Sequence, residues 1–131
     1  MDRKRLFKIL ATLIFIIFVV NFSADKFHWY FSIWYLDMIV HFLSGFWIGL
    51  LALYFFAPPT LFFRLILKIL LFVFLVGIGW EVFEFITDKV VIHNSFNALD
   101  TVSDIFFDLA GGIFAVLYFF KKTMSAKENA V

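Results

Sequence analysis

A chain of 131 residues that is 64% hydrophobic, with a mean hydropathy of +1.00, is far more apolar than a soluble domain, where roughly 45 to 50% is usual, and reads as one membrane domain. The absence of cysteine excludes disulfides, thiolate nucleophiles and zinc–thiolate sites, which leaves carboxylates and histidine to carry any chemistry. A net charge of +1 lacks the basic excess of a nucleic-acid binder, so no nucleic-acid partner is expected and the distribution of charge matters more than its sum.

In chain order, Arg3, Lys4 and Arg5 precede a first apolar span, about residues 6–22, interrupted only by Lys8, Thr12 and Asn21. Phe22, Ser23 and Ala24 make a poor signal-peptide cleavage site, so this span is read as an uncleaved anchor. Residues 21–35 carry Phe27, Trp29, Tyr30, Phe31, Trp34 and Tyr35, ring types that settle at the membrane–water boundary, and form an interfacial connection. The second span, about 36–57, is closed by Pro58 and Pro59, which cannot continue a helix. A third follows over about 61–87, with Arg64 and Lys68 able to extend their cationic ends toward the headgroups. His93, Asn94, Ser95, Asn97 and Ala98 make a short connection in which Asp88 and His93 face water. His28 is read as a surface residue. The last span covers about 99–120, with Asp100 placed to cap its helix and Lys121 and Lys122 as its stop. Residues 123–131 then form a polar cytoplasmic tail, short enough to be disordered. The predicted fold is all-α, a bundle of four transmembrane helices.

Four spans put both termini on one side of the membrane. Nine of the eleven basic residues lie on that side, with only Lys26 and Lys89 opposite, so the positive-inside rule makes both termini cytoplasmic. The acids divide the other way: Asp2 and Glu128 are cytoplasmic, and the remaining eight lie in the outer half. This pattern predicts a multi-pass membrane protein whose outer half is strongly acidic.

Five of those acids and one histidine fall inside the spans. A charge at the centre of a membrane helix costs roughly 2.5 to 3.5 kcal/mol even on an insertion scale, so such residues mark sites. Asp37 and His41, Glu81 and Glu84, and Asp104 and Asp108 are each three or four residues apart, which puts each pair on one helical face. Glycine continues every face: Gly45 and Gly49 with the first pair, Gly77 with the second, and Gly111 or Gly112 with the third. Small residues let membrane helices approach closely, so these faces are expected to point at one another. The Gly45–Gly49 spacing is read as internal packing rather than a dimer contact. No oligomeric state follows from it.

Five carboxylates cannot all stay ionised together in a low-dielectric interior. Bound protons, a divalent cation or a cationic substrate group would compensate, and an oxygen-rich set with one histidine suits Mg, Mn or Ca better than Zn. Glu81, Glu84, Asp104 and Asp108 are the candidate metal ligands. His41 is the candidate proton carrier, with Asp37 orienting its ring. A purely structural clamp between helices is the competing reading, but no intramembrane Arg or Lys balances the acids.

The run Asp37-Met-Ile-Val-His41-Phe42 with Gly45, then Trp80-Glu81-Val-Phe-Glu84, then Asp100-Thr101-Val-Ser-Asp104 before Gly111-Gly112 resembles the YjdF-like family of small bacterial inner-membrane proteins. It is more distantly similar to the VanZ-like proteins linked to glycopeptide resistance. The likeness covers residues 36–120. It departs from the VanZ-like pattern at Glu84 and Asp108, where that family usually has Gln and Asn, and in lacking its arginine between the last two motifs. The resemblance implies a bundle with a shared outer-leaflet polar site and brings no settled reaction. Three functions then fit the residues: a site for a cation, lipid or cell-envelope headgroup, in its sharper form a small metal-dependent enzyme; a proton- or cation-coupled carrier; and an accessory or scaffold protein. The inner halves hold few polar residues besides Thr12, Arg64 and Lys68, which favours the one-sided site.

Overall fold

Long apolar runs with no internal proline have one way to satisfy their backbone in lipid, which is to coil. A computed structural model of the chain, describing residues 2–56, 62–87, 89–90 and 97–128, shows the result: α1 (Arg3–Lys26), α2 (Trp29–Ser32), α3 (Leu36–Phe56), α4 (Phe62–Thr87) and α5 (Ala98–Glu128), with no strand among the described residues. All but α2 are long and apolar enough to cross a membrane. The proposed turn at Pro58 and Pro59, and Asp88, His93 and Ser95, lie outside the described residues.

Helix boundaries follow local chemistry. Asp2 starts α1, its carboxylate accepting from the Lys4 amide at 3.4 Å and its carbonyl from Leu6 at 3.0 Å. The helix runs past Phe22 to Lys26 and closes when the Phe27 amide donates to the Ser23 carbonyl at 2.9 Å. His28, exposed as expected, then takes a left-handed conformation (φ 56°, ψ 33°), which costs a non-glycine residue roughly 1–2 kcal/mol. That residue turns the chain into α2. At α5 the cap is Asn97 and not Asp100: the Asn97 carboxamide oxygen accepts from the Leu99 amide at 3.2 Å. Asp100 instead sits in the first turn, where its charge complements the helix dipole. Lys121 and Lys122, read as the stop of the last span, do not end its helix. Both are good helix formers, and α5 continues beyond them to Glu128, so the tail begins as helix rather than disorder.

Packing centres on α3 and α5, with α4 against both and, among the described residues, α1 against α3 and α2. Glycine explains the closeness. A Cβ on Gly45 would overlap the Asp108 carbonyl oxygen and fall 2.6 Å from the Asp108 Cα, and one on Gly111 would overlap the Phe42 carbonyl oxygen and fall 2.6 Å from the Phe46 amide nitrogen. A Cβ on Gly49 would meet Ala115 at 2.8 Å. The two backbones are therefore in direct contact, as small residues permit between membrane helices. Toward the end that holds both termini, Leu6, Leu10, Leu50, Leu53, Leu65, Ile69, Val73, Ala115 and Val116 close into one apolar core. Three tethers hold α1: Trp47 Nε1 donates to the Leu10 carbonyl at 2.8 Å, the Arg3 guanidinium donates to the Tyr54 carbonyl at 3.3 Å while lying 5.0 Å over its ring, and the Tyr30 hydroxyl donates to Asn21 Oδ1.

Candidate functional site

The six polar residues converge at the opposite end of the bundle, where α3 and α5 begin and α4 finishes. His41 is at the centre. Its ring is buried among three carboxylates, with Nδ1 3.4 Å from Asp108 Oδ1 and Nε2 3.7 Å from Asp37 Oδ1 and 3.9 Å from Asp104 Oδ1. The carboxylate nearest the imidazole is thus Asp108, on a different helix, rather than Asp37 one turn before it. His41, Asp104 and Asp108 are 5%, 4% and 3% exposed, whereas Asp37, Glu81 and Glu84 are half-buried at the mouth. All three contacts to His41 exceed ordinary hydrogen-bond length.

Glycine positions these groups as well as the helices. Gly45, two turns past Asp37, admits the α5 backbone at Asp108. Gly77, one turn before Glu81, leaves room for the Asp108 carboxylate, whose Oδ2 would stand 2.9 Å from a Cβ there. A larger residue at either position would displace Asp108 from His41.

Two groups of possible ligand atoms share the histidine. Asp37, His41 and Asp104 form one, and His41, Glu81 and Glu84 the other, each with its atoms within 4.8 Å of one another. A cation fits this set on two grounds. The donors are hard oxygens with one imidazole, and Glu81 Oε1 is buried with no hydrogen-bond partner, although Thr101 lies alongside that carboxylate. Such an acceptor is costly to leave unmatched. Among the described residues every ion pair of the site is to His41, and no Lys or Arg enters it.

One residue at the mouth is not singled out by the sequence. Tyr30, half-buried on α2, has its phenol pushed up to about 12, chiefly by burial and then by the negative charges of Asp37, Asp25 and Glu84. It therefore stays a neutral donor facing an acidic rim. The one signal for it was Asn21, its partner, a polar interruption of an otherwise apolar span.

A family model described as "Predicted membrane protein (DUF2238)" matches residues 2–124. No curated protein and no solved structure matches the chain.

Proposed function

Because the chain belongs to the DUF2238 family of predicted membrane proteins, we propose that it is a multi-pass protein of a bacterial inner membrane whose polar site binds a divalent cation, Mg, Mn or Ca in preference to Zn. Through that cation it takes up a phosphate-bearing lipid or cell-envelope headgroup. One observation carries the reading: two groups of possible ligands on three helices meet at a single buried histidine, with an orphaned carboxylate oxygen beside them. The YjdF-like and VanZ-like resemblances accord with a shared polar site at this depth. With both termini cytoplasmic, as the basic residues indicate, the site opens to the outer leaflet.

In this arrangement Glu81 and Glu84 from α4, Asp37 and His41 from α3 and Asp104 from α5 are the groups that would hold the cation. Asp108 faces Nδ1 and fixes the ring, the role that a carboxylate behind a metal-bound imidazole commonly plays. The cation would neutralise the carboxylates and polarise a phosphate oxygen. The apolar core filling the other half of the bundle supports a one-sided site over a carrier's through-path, and the lack of a basic partner weighs against a mere clamp.

The test is elemental analysis of purified protein beside the Asp104→Asn and Glu84→Gln variants. Close to one divalent ion per chain is expected for the wild type, with loss in both variants. A wild type that copurifies with none, and binds none at millimolar concentration, sinks the proposal.

A further inference from the structure

Beside the acidic site lies a groove of about 310 Å³, lined by Tyr35, Met38, Ile39, Phe42, Leu43 and Phe107. Tyr35, just before α3, and the four α3 positions Met38, Ile39, Phe42 and Leu43 follow the i, i+3, i+4, i+7, i+8 spacing of one helical stripe, so the groove runs along the start of α3 for roughly 12 Å at 1.5 Å per residue. Phe107 of α5 forms its other wall, and Phe42 is held by an edge-on contact with Phe114, ring centroids 5.4 Å apart. The lining is apolar throughout apart from the Tyr35 hydroxyl. Each wall adjoins the polar site in sequence: Met38 and Phe42 follow Asp37 and His41, and Phe107 precedes Asp108.

We infer that this groove seats one acyl chain of a glycerophospholipid whose phosphate is held at the adjoining acidic site, an inference that rests on the cation proposed there. Three features select this occupant. The groove lies within a membrane-spanning stretch, where hydrocarbon chains are the solvent. Tyr35 marks its headgroup end, since tyrosine settles at the interface, and from there the groove descends past the level of Asp37. The volume is at the small end of ligand pockets, roughly 300 to 1,000 Å³, which suits one chain and not a whole two-chain lipid. A phosphate would be repelled by five bare carboxylates and drawn by a cation among them, so chain and headgroup sites act together only when the metal is present.

The probe is phosphatidylglycerol carrying a photoreactive diazirine on one acyl chain, in nanodiscs with Mg²⁺, compared with a diacylglycerol of the same chains. Cross-links from the phospholipid should concentrate on residues 35–43 and Phe107. They should fall at least fivefold in Ile39→Trp and Leu43→Trp, which fill the groove, and fall similarly with EDTA, while diacylglycerol labels weakly. Ile39 is exposed, so a tryptophan there leaves folding intact even if Leu43→Trp does not, and unchanged metal content checks both variants. Labelling spread evenly over the exposed faces of α1 and α4, or unchanged by both fillings, overturns the inference. So does equal, EDTA-insensitive labelling by the two probes. Metal retained with even labelling defeats the lipid groove alone, whereas groove labelling in protein that holds no metal defeats the cation reading.

Discussion

His41 Nδ1 stands 3.4 Å from Asp108 Oδ1, and the Asp108 backbone is the surface against which Gly45, one turn beyond His41, is packed. The same residue therefore closes the helix contact and faces the imidazole. Replacing His41 with Ala leaves Asp104 and Asp108 buried with no basic neighbour, and removing one partner of a buried pair costs about 3–5 kcal/mol. Thermal unfolding in detergent should show that loss for His41→Ala and a smaller one for Asp108→Asn, which removes a charge but keeps the shape. Wild type given divalent cation at a hundred times its Kd should gain about 2.7 kcal/mol, and His41→Ala little.

Gly45→Ala places a methyl group against the α5 backbone, which cannot move aside as a flexible side chain would. Overpacking typically costs about 1–3 kcal/mol, and a backbone neighbour puts this position at the upper end. Gly79→Ala is the matched control, because nothing lies within 4 Å of its Cβ and alanine is the better helix former by about 1 kcal/mol. Unfolding temperatures should drop steeply for the first and hold or rise for the second. Equal effects would show that α3 and α5 are not in backbone contact.

Tyr30 sets an alkaline limit on α2, the short helix that carries it. Its phenol is pushed from 10.0 up to about 12, so the stability arising from its neutral form is complete below pH 10 and is lost as pH rises from 10 toward 12. Absorbance titration of phenolate should show that the transition missing from Tyr30→Phe is the one near pH 12. A missing transition near pH 10 would show that Tyr30 is neither buried nor beside the acidic rim.

Sidedness is testable at two exposed serines, Ser32 on α2 and Ser125 on α5. With the termini cytoplasmic, Ser32→Cys should react with an impermeant maleimide on intact spheroplasts, and Ser125→Cys only after they are opened. The reverse pattern would turn the site toward the cytoplasm.

The four spans were legible because hydropathy is a property of each segment alone. The site's membership was legible too, since spacing of three or four residues with glycine on the same face is local information. Depth within the site was not. Asp104 and Asp108 are buried while Glu81 and Glu84 stay at the mouth, and that difference depends on Gly45 and Gly77 meeting α5, a fact of tertiary packing. The cap at Asn97 was hidden by a closer-looking acid, Asp100. The helix beyond Lys122 was hidden by charge, which ends a span but not a helix. His28 could not be foreseen as left-handed, because nothing in its composition demands it.

The tight pairing of α3 with α5 also sets an order of assembly. A chain is made from its N-terminus, so α3 and α4 bring Asp37, His41, Glu81 and Glu84 to the bilayer before Asp104 and Asp108 have been synthesised. Until the final helix arrives, Gly45 and Gly49 lack the α5 backbone they pack against, and the histidine lacks Asp104 and Asp108, with only Asp37, Glu81 and Glu84 as acidic neighbours. The last span is thus the one that completes the site, supplying Asp104 and Asp108 together with the backbone that Gly45 and Gly49 pack against.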